Sequence, residues 1–288
     1  MAPRLTHAAR LTLLTVCALL AFAGNSLLCR AALDRTGIDP LGFTVLRLFA
    51  GAAVLWALVA WRGSAALAHG SWISALALLA YALGFSWAYT GMTAGTGALL
   101  LFAAVQATML AGGLALGARW TPRQAAGLVI AMAGLAYLLS PGLEAPAAGP
   151  AACMLLAGIG WGIYSLRGRG QADATATTAG NFLRAAPLSL LACLPWLGTV
   201  SIDAAGAALA LVSGAVTSGL GYAVWYAALR DLTPQVAGSS QLVVPVVTVA
   251  AGTLLLSEPL GWRLGIASVI VLGGIALTLP WRRATRAA

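Results

Sequence analysis

The chain contains no lysine, and only 7 of its 288 residues are acidic. Charged residues make up 8% of the total, against about 25% in a soluble domain. That scarcity excludes a water-soluble globular protein. The lack of lysine excludes a Gly-x-x-x-x-Gly-Lys phosphate loop. The two histidines, His7 and His69, and the four cysteines, Cys17, Cys29, Cys153 and Cys193, stand at no metal-ligand spacing. Paired acidic motifs that would hold magnesium and a pyrophosphate are missing. No catalytic residue, metal or cofactor is therefore expected, and the cysteines read as small packing residues. The net charge of +9 comes without a folded basic face, so no nucleic acid is expected as a partner. No feature points to a protein partner either.

What remains is apolar. Hydrophobic residues make up 61%, and the mean hydropathy is +0.92. A crossing helix needs about 20 apolar residues. Ten stretches fit: 9–29, 40–61, 71–92, 97–118, 122–140, 150–167, 179–199, 205–229, 234–256 and 262–281. Asp39-Pro40, Thr121-Pro122, Gly149-Pro150 and Thr233-Pro234 each read as a cap and a helix start. The pattern predicts an all-α integral membrane protein with ten transmembrane helices, a single membrane domain over 1–288 whose surroundings are lipid. The first stretch is too long for a signal h-region and lacks a small-residue cleavage site, so it reads as a retained span.

The arginines orient these spans. With the N-terminus in the cytoplasm, the inner segments hold Arg4, Arg10, Arg62, Arg119, Arg123, Arg167, Arg169, Arg230, Arg282, Arg283 and Arg286. The outer segments hold only Arg30, Arg35 and Arg263, while Arg47 and Arg184 fall within spans. Positive residues concentrate inside, so both termini are expected in the cytoplasm. Arginine and alanine richness suggests a GC-rich bacterial genome, hence a bacterial inner membrane.

Shifted by 140 residues, the chain matches itself. Thr108 meets Thr248, Gly112 meets Gly252, Arg123 meets Arg263, Ile130 meets Ile270 and Gly134 meets Gly274. Shifts of 137 and 136 align Arg47 with Arg184 and Gly24-Asn25-Ser26 with Gly160-Trp161-Gly162. Two repeats result, about 1–142 and 143–288. Five helices is an odd number, so the second copy enters from the opposite side and the repeats are inverted. That construction underlies alternating-access transporters.

Ala23-Gly24-Asn25-Ser26, the Arg47 segment Phe43–Leu48, Pro245, the turn Leu256-Ser257-Glu258-Pro259-Leu260 and Gly273-Gly274-Ile275 carry a resemblance. Over its full length the chain resembles the drug/metabolite transporter superfamily, in its ten-span EamA-type branch. In size and layout it is similar to the YddG-type amino-acid exporters. The resemblance implies a secondary transporter. The superfamily's small four-helix exporters of lipophilic cations hold their substrate on a buried glutamate. All seven acids here lie in loops or at helix ends, so a cationic drug is a poor substrate candidate.

Embedded polar residues mark function in a bilayer. Asn25, Tyr81, Gln106, Trp161, Tyr164, Tyr222 and Gln241 are the candidate substrate-binding residues. As a set they suit a small zwitterion, with amides and hydroxyls for its charged groups and rings for its side chain. Arg47 and Arg184 could snorkel, bind substrate or cap carbonyls as gate elements. Gly160 and Gly221, beside the cavity aromatics, are gating candidates. The expected function is export of amino acids or similar small metabolites. A carrier of anionic or phosphorylated metabolites is the alternative, and an intramembrane enzyme or scaffold a third.

Overall fold

Carboxylates and hydroxyls set where helices begin. In the computed structural model, residues 6–115, 117, 121–142, 145–168, 170–196, 198–232, 237 and 240–279 are described. Their ten helices are α1 (His7–Arg35), α2 (Pro40–Trp61), α3 (Trp72–Ala88), α4 (Ala94–Ala115) and α5 (Pro122–Leu139). Then come α6 (Ala148–Gly168), α7 (Ala174–Cys193), α8 (Ala204–Leu229), α9 (Val243–Leu256) and α10 (Trp262–Thr278). Asp39 accepts from Leu41 and Gly42 at the start of α2, Asp173 from Ala176 on α7, and Asp203 from Gly206 on α8. Thr121 and Gln124 form a capping box on α5. Glu258 reaches across the bundle to the amide of Ala94 on α4. Anions at N-termini meet the unpaired N–H groups and the positive end of the dipole.

Six helices are long and apolar enough to cross a membrane: α1, α2, α4, α5, α6 and α8. Helices α3, α9 and α10 are shorter apolar ones. Helix α7 is more polar, yet its Thr175, Thr178 and Asn181 are buried. It starts earlier than the expected 179, because Asp173 caps it, and it passes into a short 3-10 turn at Leu194–Trp196. Helix α6 begins before Gly149-Pro150, so Pro150 sits in its first turn, where its missing N–H has no partner to lose. Thr233-Pro234 and the ends of the spans expected at 97–118, 234–256 and 262–281 lie partly outside the described residues.

The packing repeats itself when α1–α5 are exchanged for α6–α10. Helix α6 rests on α3 and α4 as α1 rests on α8 and α9; α2 meets α8 as α7 meets α3. The pairs α2–α7, α4–α9 and α5–α10 lie across the pseudo-two-fold axis. Gly134 packs on Val271 and Gly274 on Ala131, the same contact with the copies swapped. The crossing pairs run antiparallel. Asp39, at the start of α2, exchanges hydrogen bonds with Ser201 beyond the end of α7, while Arg184 of α7 reaches His69 beyond the end of α2. Gln124 at the start of α5 bonds Thr278 at the end of α10, and Arg263 at the start of α10 bonds Tyr137 at the end of α5. The two five-helix halves are thus inverted copies.

Candidate functional site

The run Gly158-x-Gly160-x-Gly162 draws α6 against its neighbours. A methyl on Gly160 would stand 2.9 Å from the Ala77 carbonyl of α3, and one on Gly162 would stand 2.6 Å from Thr108 of α4. This close approach holds Trp161 at the bundle centre. Its ring lies 5.0 Å from Tyr81 and 4.9 Å from Tyr222. Around it is a narrow pocket with ≈ 20 Å³ of free space, lined by Phe22, Asn25, Ser26, Tyr81, Phe85, Leu101, Phe102, Trp161 and Tyr222. That is room for about one water, so the side chains close the pocket down in this conformation. Asn25 and Trp161 correspond in the repeat, as do Tyr81 and Tyr222, at offsets of 136 and 141. The pocket is therefore built about the pseudo-two-fold axis.

Helix α8 is not regular here. Ser213–Leu220 forms a π-helical stretch, punctuated by Gly214 and Gly219. Gly214 lies so close to α2 that a methyl would overlap the Arg47 carbonyl. The widened turn aims Ser213 and Thr217 at the Asn25 amide oxygen, at 2.8 and 3.3 Å. Ser218 accepts from Arg47 Nε at 3.1 Å. Wide turns of this kind recur at functional sites.

A second, larger cavity of ≈ 410 Å³ opens toward the bundle end where α6 and α8 finish. Met109, Trp161, Ser165, Tyr222, Trp225 and Gln241 are among its lining residues. Trp161 and Tyr222 line both spaces. With Phe22, set edge-on to Trp161, Tyr222 and Trp225, they form an aromatic partition. The opposite end is tied shut. Arg30 pairs with Glu258 at 3.2 Å and with Asp34 at 2.8 Å, and donates to the Tyr89 carbonyl at 2.9 Å. Glu258 joins Ala94 to this group through two contacts of 2.9 Å. Ser257, in a left-handed conformation at the end of α9, turns Glu258 back into the bundle. Arg35 donates to the last carbonyls of α9, and Arg263 to those that end α5.

Comparison with known proteins places this architecture. The sequence profile of the EamA-like transporter family matches residues 10–140 and again 150–279. The chain belongs to the EamA-like transporter family. The two matches coincide with α1–α5 and α6–α10. An uncharacterized protein of Pseudomonas aeruginosa is 54% identical over 274 residues, covering 95% of this chain and 96% of its own. One crystal structure superposes with a TM-score of 0.67 at 20% identity, covering 93% of this chain and 96% of that one. At that identity the likeness shows the shared fold.

In this EamA-like transporter the residues expected from sequence separate into groups. Asn25, Tyr81, Trp161 and Tyr222 share the central pocket, and Gln241 lines the larger cavity. Tyr164 stacks on Trp161 at 5.4 Å but lines a closed crevice with Thr178 and Asn181 of α7. Gln106 lines neither cavity; it donates to Thr278 of α10 at 3.0 Å. Gly221 packs on Ala21 of α1. Arg184 donates to the carbonyls of Leu67 and His69 at the loop after α2 and to that of Gly180 in its own helix. Arg47 instead turns into the core, where it is 2% exposed. Phe22, Ser26, Leu101 and Phe102 were not among the expected lining residues. Apolar side chains in an apolar helix carry no periodic signal, because both lipid and cavity faces accept them. Phe85 could be found from its one-turn spacing to Tyr81.

Proposed function

We propose that the protein is a secondary transporter that exports amino acids or similar small metabolites across a bacterial inner membrane by alternating access. Both termini face the cytoplasm in this reading, and the larger cavity opens there. One observation carries the proposal. A constricted pocket of aromatic and polar side chains lies on the axis between two inverted repeats, separated from one side by the Trp161–Tyr222 partition and from the other by the Arg30–Glu258 tie. Rocking one repeat against the other around such a pocket exchanges its access. Its polar groups, Asn25, Ser26, Tyr81 and Tyr222, suit the charged ends of a zwitterion, and its rings suit an apolar side chain. The second reading is a carrier of phosphorylated metabolites held by two arginines. The engagement of Arg184 with loop carbonyls weighs against it.

The test is counterflow in sealed proteoliposomes preloaded with individual amino acids and other small carboxylates. Accumulation of label above that in liposomes carrying the Trp161→Ala variant supports the proposal. Equal signals across the whole panel overturn it.

A further inference from the structure

Arg47 is a buried cation without a counterion. Among the described residues no carboxylate forms an ion pair with it; the acid pairs lie at the bundle ends, on Arg30 and His7. Its guanidinium sits 5.1 Å from the Tyr81 ring and 5.0 Å from the Phe85 ring. Nε donates to Ser218 and Nη2 donates to the Tyr81 hydroxyl at 2.9 Å, while the buried Nη1 has no partner. A buried charge without an opposite charge is costly, and its positive field falls on the nearest open space. That space is the central pocket, for Tyr81 and Phe85 form both the wall against Arg47 and part of the pocket lining.

The hydroxyls of that wall are set as donors. The Tyr81 oxygen accepts from Arg47 at 2.9 Å and from the Asn25 amide at 3.0 Å. Asn25 is itself held in that orientation, since its oxygen accepts from the Ser213 hydroxyl at 2.8 Å. With two donors on its oxygen, Tyr81 can only give its own proton onward. Tyr222 lines the same pocket, and the Trp161 ring packs against both tyrosine rings. If Tyr222 takes that proton, its own is left to donate. The Tyr81 O–H, polarised by Arg47, is thus left to donate at the pocket wall, directly or through Tyr222. Such a donor favours an anionic acceptor.

We infer that the central pocket anchors a carboxylate on the Tyr81–Tyr222 hydroxyls, with Arg47 behind them as its fixed counter-charge. The inference rests on the transporter reading above and narrows its substrate to molecules bearing a carboxylate. Arg47 is a positioning residue: it acts through Tyr81 and need not touch the substrate.

The experiment uses the full-length protein in nanodiscs. Radiolabelled binding is measured for a panel of neutral amino acids, each competed by its free acid, its amide and its decarboxylated amine. The acid is expected to compete about tenfold or more better than the amide. Tyr81→Phe, Tyr222→Phe and Arg47→Met should each bring the acid-to-amide ratio toward one, while the amide's own affinity stays within about twofold. Arg47→Lys should retain part of the preference. A merely structural role would weaken acid and amide together and leave the ratio unchanged. The tyrosine variants keep their rings, so they decide the matter even where Arg47→Met fails to fold. Equal competition by acid and amide in the unmodified protein overturns the carboxylate anchor and leaves the transporter reading standing. No binding and no counterflow of any acid in the panel overturns both.

Discussion

Trp161 touches four aromatic rings, those of Phe22, Tyr81, Tyr164 and Tyr222. It lines the pocket and the larger cavity alike, so its loss removes a pocket wall and the partition together. Trp161→Ala should lower substrate affinity roughly thirtyfold, the equivalent of about 2 kcal/mol for a buried ring–cation contact. Trp61, 88% exposed at the end of α2, is the matched control and should be neutral in the same transport assay. Trp281, a belt residue by its sequence position, lies outside the described residues. Arg47 and Arg184 show how equivalent residues diverge. Besides Gly180 of its own helix, the Arg184 carbonyl partners come from the 3-10 turn Ala66–Ala68 and the residue after it. Arg47 instead finds hydroxyls, because the π-helical stretch of α8 brings Ser218 to it.

Helix contacts divide neighbouring glycines into two kinds. On α10, Gly274 faces α5, and a methyl there would stand 2.5 Å from the Ala131 amide nitrogen. Gly273 faces open space. Gly274→Ala should cost about 1–3 kcal/mol through overpacking, while Gly273→Ala should be neutral or slightly stabilising, since alanine favours helix. Thermal unfolding of the detergent-solubilised variants checks both. At the ends of α1, α4 and α9, Glu258 links Arg30 to Ala94, with side chains only 10% and 16% exposed for the glutamate and arginine. Removing one partner of a mostly buried pair destabilises the arrangement that contains it. Glu258→Gln should therefore shift the carrier toward opening at that end. In a background free of the native cysteines, a Ser26→Cys pocket probe should then react with an impermeant maleimide from that side about tenfold or more faster. An unchanged rate would show that the tie does not hold the closed state.

Orientation and coupling of the whole carrier follow from charge placement. Cysteine at position 7 should label from the cytoplasmic side and cysteine at position 90 from the outside, by impermeant reagent on intact cells. The reverse pattern would mean an inverted carrier. Among the described residues, no carboxylate or histidine lines the central pocket. A proton-coupled carrier needs a titrating group on its substrate path. Counterflow is thus expected to proceed without a pH gradient, and an imposed gradient should not drive uphill uptake. Uphill movement that follows the gradient and is lost on a single mid-helix substitution would refute this.

Class, repeat and much of the topology are legible in the chain alone. Apolar length, arginine spacing and self-similarity need no contacts to be read. They mark out ten helices, and they align Gly134 with Gly274 without any knowledge of packing. The Asn25–Trp161 pairing is legible for the same reason: an inverted repeat puts equivalent positions at one axis. Which polar side chains face the pocket is settled only by how the helices pack. In a helix surrounded by lipid and other helices, apolar residues are spread almost evenly around the axis, so the order of residues does not tell a cavity face from a packing face. Gln106 and Tyr164 therefore read like Asn25 and Tyr81, yet packing turned them to α10 and α7. The role of Glu258 was hidden likewise. Its turn is local, but the amide and guanidinium it joins come from helices 164 and 228 residues away along the chain.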